Sequence, residues 1–301
     1  MKKYFIQIAF LISIYFVGCD RPGPTELISE DDTFDVEILG KDLENDEYYS
    51  NGYDTSGVVQ TNYDYASLVS VSGIKVTANG LTTNLSSAQT YIFDRSEPFY
   101  SPNNILLGYK TVTPGIIRFD NVQARLTNYR VLYREDGNII DSVLGKKYEL
   151  FKRHGRIWGD PFTFQYNSQI DFSFNAFIGG QQSNFQIQTP QEVNGNVKLV
   201  NVNERKYRAE LNWNGESANN FFIIIGGIKI ANEKVFPLFK LKTKDDGKLN
   251  IPKTLFENIP DNRFNKIVIS FVRQYGKVVQ GINNDIYVSS QSIHTIIVDI
   301  P

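Results

Sequence analysis

Beyond about residue 66, apolar and polar residues alternate with a period of two. That spacing sends successive side chains to opposite faces of a strand. Val69, Val71, Ile74 and Val76 mark one such stretch around Gly73, and Ile116, Ile117 and Phe119 mark another. Arg130–Arg134 and Asn138–Asp141 flank Asp136-Gly137. Asp-Gly between apolar runs predicts a hairpin, because a type I′ turn needs positive φ at both central residues. Phe162, Phe164 and Tyr166 alternate, as do Phe172 and Phe174. Turn clusters recur at Pro102-Asn103-Asn104, Pro114-Gly115, Gly159-Asp160-Pro161 and Gly179-Gly180. Many short strands with regularly spaced turns predict an all-β sandwich or barrel.

A second unit is expected from near Phe185. Tyr207, Ala209, Leu211 and Trp213 keep one strand face, and Phe221–Ile225 is apolar throughout, as in a strand covered on both sides. Ile267–Val272 and Lys277–Val279 flank Tyr275-Gly276, which predicts another hairpin. Lys244–Lys248 reads as a turn, Pro252–Glu257 as a single helical turn with proline near its start, and Ser292–Ile300 as a β-branched strand. After the first twenty residues no stretch carries three turns of amphipathic helix. The expected fold is two tandem β-sandwich domains, 62–182 and 183–301. The second, with about seven strands, is similar to immunoglobulin-like or fibronectin-like sandwiches. From Trp213 through the Asp245-Asp246-Gly247 turn to Ile300, it resembles C-terminal sandwich modules of Bacteroidota surface lipoproteins. No residue-level repeat links the two units.

The amino terminus follows a different pattern. Met1-Lys2-Lys3 precedes an apolar run from Tyr4 to Val17, interrupted only by Gln7 and Ser13. The run is shorter than the roughly 20 residues a helix needs to span a bilayer. A basic start, a short apolar stretch and a small residue are the parts of a secretory signal. Phe16-Val17-Gly18-Cys19 resembles the lipobox of bacterial lipoprotein signal peptides, with Phe16 in the place most members give to Leu. The resemblance implies cleavage after Gly18 and acylation of Cys19. Residues 1–18 are then a signal peptide and 19–61 a lipidated, extended tether. Several acyl chains on one residue suffice for stable anchoring. Cys19 is the chain's single cysteine, so the thiol has no disulfide partner.

Charge divides the same way. Residues 20–60 hold 12 acidic and 2 basic side chains, whereas residues 61–301 hold 21 acidic and 27 basic. A tether of net −10 that opens Asp20-Arg21-Pro22-Gly23-Pro24 stays extended and solvated. Its Asp42–Glu47 run lacks the glycine of an EF-hand loop, so no calcium site is assigned. Phe34, Val36, Ile38 and Leu39 can form one strand that pairs with the body.

Candidate chemistry is sparse. One cysteine and two histidines leave no zinc module, and no metal or cofactor is expected. A pI near 5.8 gives no nucleic-acid footprint. Nucleophile-elbow, phosphate-loop and His-Glu-x-x-His motifs are missing. Asp54-Thr55-Ser56-Gly57 departs from the aspartic-protease loop and has no second copy. His154 lies in the basic loop Lys152–Arg156, and His294 sits within a strand. Asp141-Ser142-Val143 resembles a short O-glycosylation acceptor of Bacteroidota. Aromatic residues crowd Tyr48–Tyr65 and Tyr91–Tyr100 among polar neighbours. Tyr91, Phe93 and Tyr100 are therefore the candidate ligand-binding residues, because ring faces stack on sugars and also serve protein interfaces. The expected function is a non-catalytic module of the bacterial cell envelope, held by membrane lipid at Cys19, with the outer membrane preferred to the inner. Its partner is a glycan or an envelope protein. The alternatives are a structural component of an envelope complex and, third, a glycan-active enzyme.

Overall fold

The computed structural model describes residues 34–39, 65–102, 104, 106–135, 138–155, 159–203, 206–216, 220–230, 235–257, 259, 263–280 and 285–300. The signal segment, Cys19, the Asp42–Glu47 run, Asp54–Gly57 and Tyr48, Tyr49, Tyr53 and Tyr63 lie outside these residues. The described chain is all-β.

One large sheet forms the frame. Its order is β1 (Asp35–Ile38), β14 (Val235–Thr243), β13 (Phe221–Lys229), β16 (Phe264–Gln280), β17 (Asp285–Asp299), β2 (Ser67–Ala78), β3 (Leu81–Tyr100), β8 (Asn138–Arg153) and β7 (Arg125–Glu135). The short β4 (Leu106–Thr111) pairs with the outer part of β3. A second sheet runs β10 (Gln182–Gln188), β9 (Gln169–Ala176), β5 (Gly115–Phe119) and β6 (Val122–Gln123). A third contains β11 (Gly195–Asn203), β12 (Lys206–Trp213) and β15 (Lys248–Ile251). The single helical turn α1 (Lys253–Glu257) buries Leu255 and Phe256. Strand β1 is the one foreseen from Phe34–Leu39, and it pairs antiparallel with β14.

The two expected units share the large sheet. Strand β2 lies beside β17 in parallel, from Ser67 opposite Ile286 to Ala78 opposite Ile297. The expected boundary at 182/183 falls on β10, which pairs with β9 of the first unit. Residues 33–301 accordingly form one compact unit.

Period-two alternation builds the core between the large sheet and the β9 sheet. Val69 and Val71 of β2, Ala88 of β3 and Leu150 of β8 meet Ile117, Phe119, Ile170, Phe172 and Ile187. Tyr148 joins the layers by donating its hydroxyl to the carbonyl of Gly115 at 2.7 Å. Gly73 continues the inward face of β2, and a Cβ there would lie 2.5 Å from the Phe164 ring. Glycine lets the extended segment 162–166 pack directly on the strand.

Two sequence expectations are corrected. Phe162, Phe164 and Tyr166 alternate in burial but form no strand. Phe164 gives its N–H to the Ser86 hydroxyl at 2.9 Å, so a side chain replaces a ladder partner. Tyr275-Gly276 is not a turn, because β16 continues straight through it against β17, Gly276 facing Ser289. The glycine serves close approach: a Cβ would lie 2.7 Å from the Tyr287 hydroxyl. By contrast, β7 and β8 do form the hairpin expected around Asp136-Gly137, with Glu135 opposite Asn138.

Candidate functional site

The three aromatic candidates share β3 but occupy different environments. Phe93 is buried, 5% exposed, with Leu68, Leu107, Tyr129, Val131 and Leu144. Tyr91 is half-buried; its hydroxyl donates to Gln89 Oε1 at 2.7 Å and its ring meets Tyr129 edge-on at 5.3 Å. Together they pin the bent outer half of β3 and its partner β4 onto β7 and β8. Tyr100 is 48% exposed and ends the strand opposite Leu106. Only Tyr100 presents a ring to an outside partner.

Both histidines are satisfied by neighbours. His294 accepts the N–H of Gly195 at Nδ1, 2.8 Å away, and its Nε2 lies 3.0 Å from the Thr77 hydroxyl. Burial, then the nearby Lys75 ammonium, pushes its pKa down to about 4, so the imidazole is neutral at pH 7. His154 lies 2.8 Å from the Ser86 hydroxyl, and its pKa is lowered by burial and by Lys152. Among the described residues no three His, Cys, Asp or Glu side chains gather as a metal site requires.

A concave polar surface lies elsewhere, on the outer face of the β9 sheet. In β10 the inward positions hold Phe185 and Ile187, and Gln182, Asn184, Gln186 and Gln188 are exposed. In β9 the inward positions hold Ile170 and Phe172, leaving Gln169, Asp171 and Ser173 outward. Antiparallel register sets Asp171 opposite Gln186 and Ser173 opposite Asn184. These four side chains and Asn121 line a groove of about 340 Å³, with Phe172 and Phe185 beneath.

The groove's charged member is held in place. Asp171 accepts a hydrogen bond from Gln186 Nε2 at 3.1 Å, and its backbone N–H donates to Asp120 Oδ1 at 2.9 Å. Asp120 and Asn121 adopt left-handed φ values of 46° and 64°, which Asp and Asn tolerate. Their tight turn brings Asn121 to the rim. The surface therefore offers amide donors and acceptors, one carboxylate and one hydroxyl, which is the inventory needed to pair with a hydroxyl-rich ligand. Sequence reading passed over it while following aromatic residues. The signal was present as amides at every second position of Gln182–Gln188.

A second polar feature is internal. Arg273 is fully buried and forks onto Asp245, with Nε–Oδ2 at 2.6 Å and a second contact at 3.0 Å. Asp245 Oδ1 also accepts from Trp213 Nε1 at 2.8 Å, and Arg273 donates to the carbonyls of Gln191 and Asn214. The Glu216 carboxylate adds a second counter-charge, its Oε2 3.3 Å from Arg273 Nε, and the cluster joins β12, β16 and the Asp245–Gly247 turn.

Compared with known families and curated proteins, the chain matches no family model and no curated sequence.

Proposed function

We propose that this chain is a membrane-anchored lipoprotein of the bacterial cell envelope whose β body is a non-catalytic, saccharide-binding module. The observation that carries the binding reading is the amide-rich groove on β9 and β10. Four opposed polar side chains there stand on a rigid two-layer core, and each retains hydrogen-bonding capacity toward solvent. Protein groups fixed by a sheet bind polar ligands with less ordering cost than groups on loops. The anchoring half of the proposal is supported by Phe16-Val17-Gly18-Cys19, by the short apolar run before it and by the lack of any other cysteine.

A glycan array probed with the purified protein tests the binding half. Saccharide retention should fall at least tenfold in Asn184→Ala/Gln186→Ala and persist in Phe93→Leu, whose side chain is internal. Retention indifferent to the groove variant would remove the site.

One observation favours a second reading, an assembly role. Strand β7 ends the large sheet with a long outer edge, and an edge of that kind accepts a partner's strand. Exposed Arg125 and Arg130 on this strand, ion-paired with Asp160 and Asp141, place charge along the edge and oppose uncontrolled pairing.

A further inference from the structure

One face of the large sheet turns Val69, Val71, Val288, Arg273 and His294 toward the β9 and β12 layers. Strand alternation sends Ser70, Phe222, Ile224, Val272, Ser289 and Gln291 to the opposite face. Side chains on an uncovered sheet keep much of their surface in water. Here Val272 is 0%, Gln291 1%, Ile224 2%, and Phe222, Ser70 and Ser289 each 4% exposed. Among the described residues, the apolar cluster on this face consists of sheet residues and Leu39 alone.

The burial follows a diagonal. Register sets Asp35, Lys242, Phe222, Val272, Ile293 and Ile74 level with one another across the sheet. Leu39 lies four residues beyond Asp35, its N–H bonded to the Leu238 carbonyl at 2.9 Å. From there the buried positions step through Ile224 and Phe222 on β13, Val272 on β16, and Gln291 and Ser289 on β17, to Ser70 on β2. Away from this band the same face opens: Val278 is 48% exposed, and Val76 and Thr295 are half-buried.

The chain enters and leaves this face at the two ends of the band. Leu39 packs with Phe222, Ile224 and Val272 at one end. At the other, Tyr65 stacks on Tyr287 at a centroid distance of 5.4 Å, two residues before β2 begins. Tyr287 stands between Val278 and Leu68 on the same face. Residues 40–64 must connect these points. Five strand spacings and about eleven residue levels make a diagonal of roughly 40 Å, well within the roughly 80 Å that 25 residues reach.

The segment's chemistry matches the band. Leu43, Tyr48, Tyr49, Tyr53, Val58 and Val59 suit its apolar half, and the intervening Asn, Ser and Thr suit its Ser-Gln half. The segment holds six acidic residues and one lysine, and the band starts beside Lys240 and Lys242. The Lys240 side chain is 17% exposed, and burial lowers its pKa although Glu37 lies 3.7 Å away.

We propose that residues 40–64 dock along this band and cover the sheet, so that the free spacer shrinks from residues 19–61 to residues 20–33. The inference stands apart from both the anchor and the saccharide groove.

Cys19→Ser protein has no other thiol. In that background Ser70→Cys should react with a water-soluble maleimide at least a hundredfold more slowly than Val278→Cys, which shares the face but lies off the band. Replacing Tyr48, Tyr49 and Tyr53 with serine should speed Ser70→Cys at least tenfold and leave Val278→Cys unchanged. Equal rates at the two positions, or a Ser70→Cys rate indifferent to the tyrosine changes, overturn the proposal. Hydrogen exchange of the unsubstituted chain reads the same contact with no risk to folding. Residues 40–64 should exchange at least tenfold more slowly than residues 20–33, and equal exchange also overturns it.

Discussion

The region around β9 and the region around β12 are both layers packed on the same large sheet, yet they are held differently. Under β9, Ile117, Phe119, Ile170 and Phe172 make a core that is predominantly apolar. Under β12, the fully buried Arg273 is locked to Asp245, and Asp245 to Trp213. The first arrangement rests on area removed from water, which adapts to small changes of shape. The second rests on the Arg273 guanidinium and the carboxylates of Asp245 and Glu216, charges that are tolerable inside the protein only together.

The comparison breaks hardest at the ion pair. Asp245→Ala removes the forked carboxylate from the buried Arg273 guanidinium and leaves it only the Glu216 carboxylate, 3.3 Å from Nε; it should cost about 3 kcal/mol, read from urea midpoints. Arg273→Met with Asp245→Leu should recover most of that loss, because two apolar side chains carry no desolvation penalty. A double variant as unstable as the single one would mean that the carbonyl contacts to Gln191 and Asn214, rather than the charges, hold the β12 layer.

The next effect is pH dependence at the seam between the layers, where His294 meets Gly195 and Thr77. Its folded pKa of about 4 lies below the ordinary value of 6.5. The unfolded chain therefore binds the proton more readily. The stabilisation is complete above pH 6.5 and is lost as pH falls toward 4. Wild type should lose about 2 kcal/mol across that window beyond the loss shown by His294→Gln. Parallel stability curves for the two proteins would show that the imidazole charges freely in the fold.

Smallest of all should be Ile170→Val in the β9 core, at about 1 kcal/mol by thermal unfolding. A cost as large as that of Asp245→Ala would erase the contrast between the regions.

The β9 core was legible in the sequence because burial there follows the strand period: Ile170, Phe172, Phe185 and Ile187 occupy every second position. The β12 face was legible for the same reason, from Tyr207 to Trp213. The parallel β2–β17 pair was not, since partners more than 200 residues apart leave no local pattern. Nor did the sequence distinguish Tyr275-Gly276 in a continuous strand from a hairpin turn. Glycine answers both a need for positive φ and a need for close approach, and only the neighbouring Tyr287 tells them apart. The buried ion pair was half visible. Trp213 and the Asp245–Gly247 turn stood out, but an arginine inside an apolar strand gave no sign of its partner. At the candidate site, aromatic content drew attention to Tyr91 and Phe93, which pack internally. The groove on β10 is made of glutamine and asparagine, residues that read as ordinary solvent-facing positions until a second strand places Asp171 and Ser173 opposite them.

Hydrogen exchange with the tightest-binding saccharide from the array tests the central claim most directly. The account predicts slowed exchange confined to Gln169–Gln188 and the Asp120–Asn121 turn. Protection along β3 and β4 instead, or no saccharide that binds at all, would contradict it.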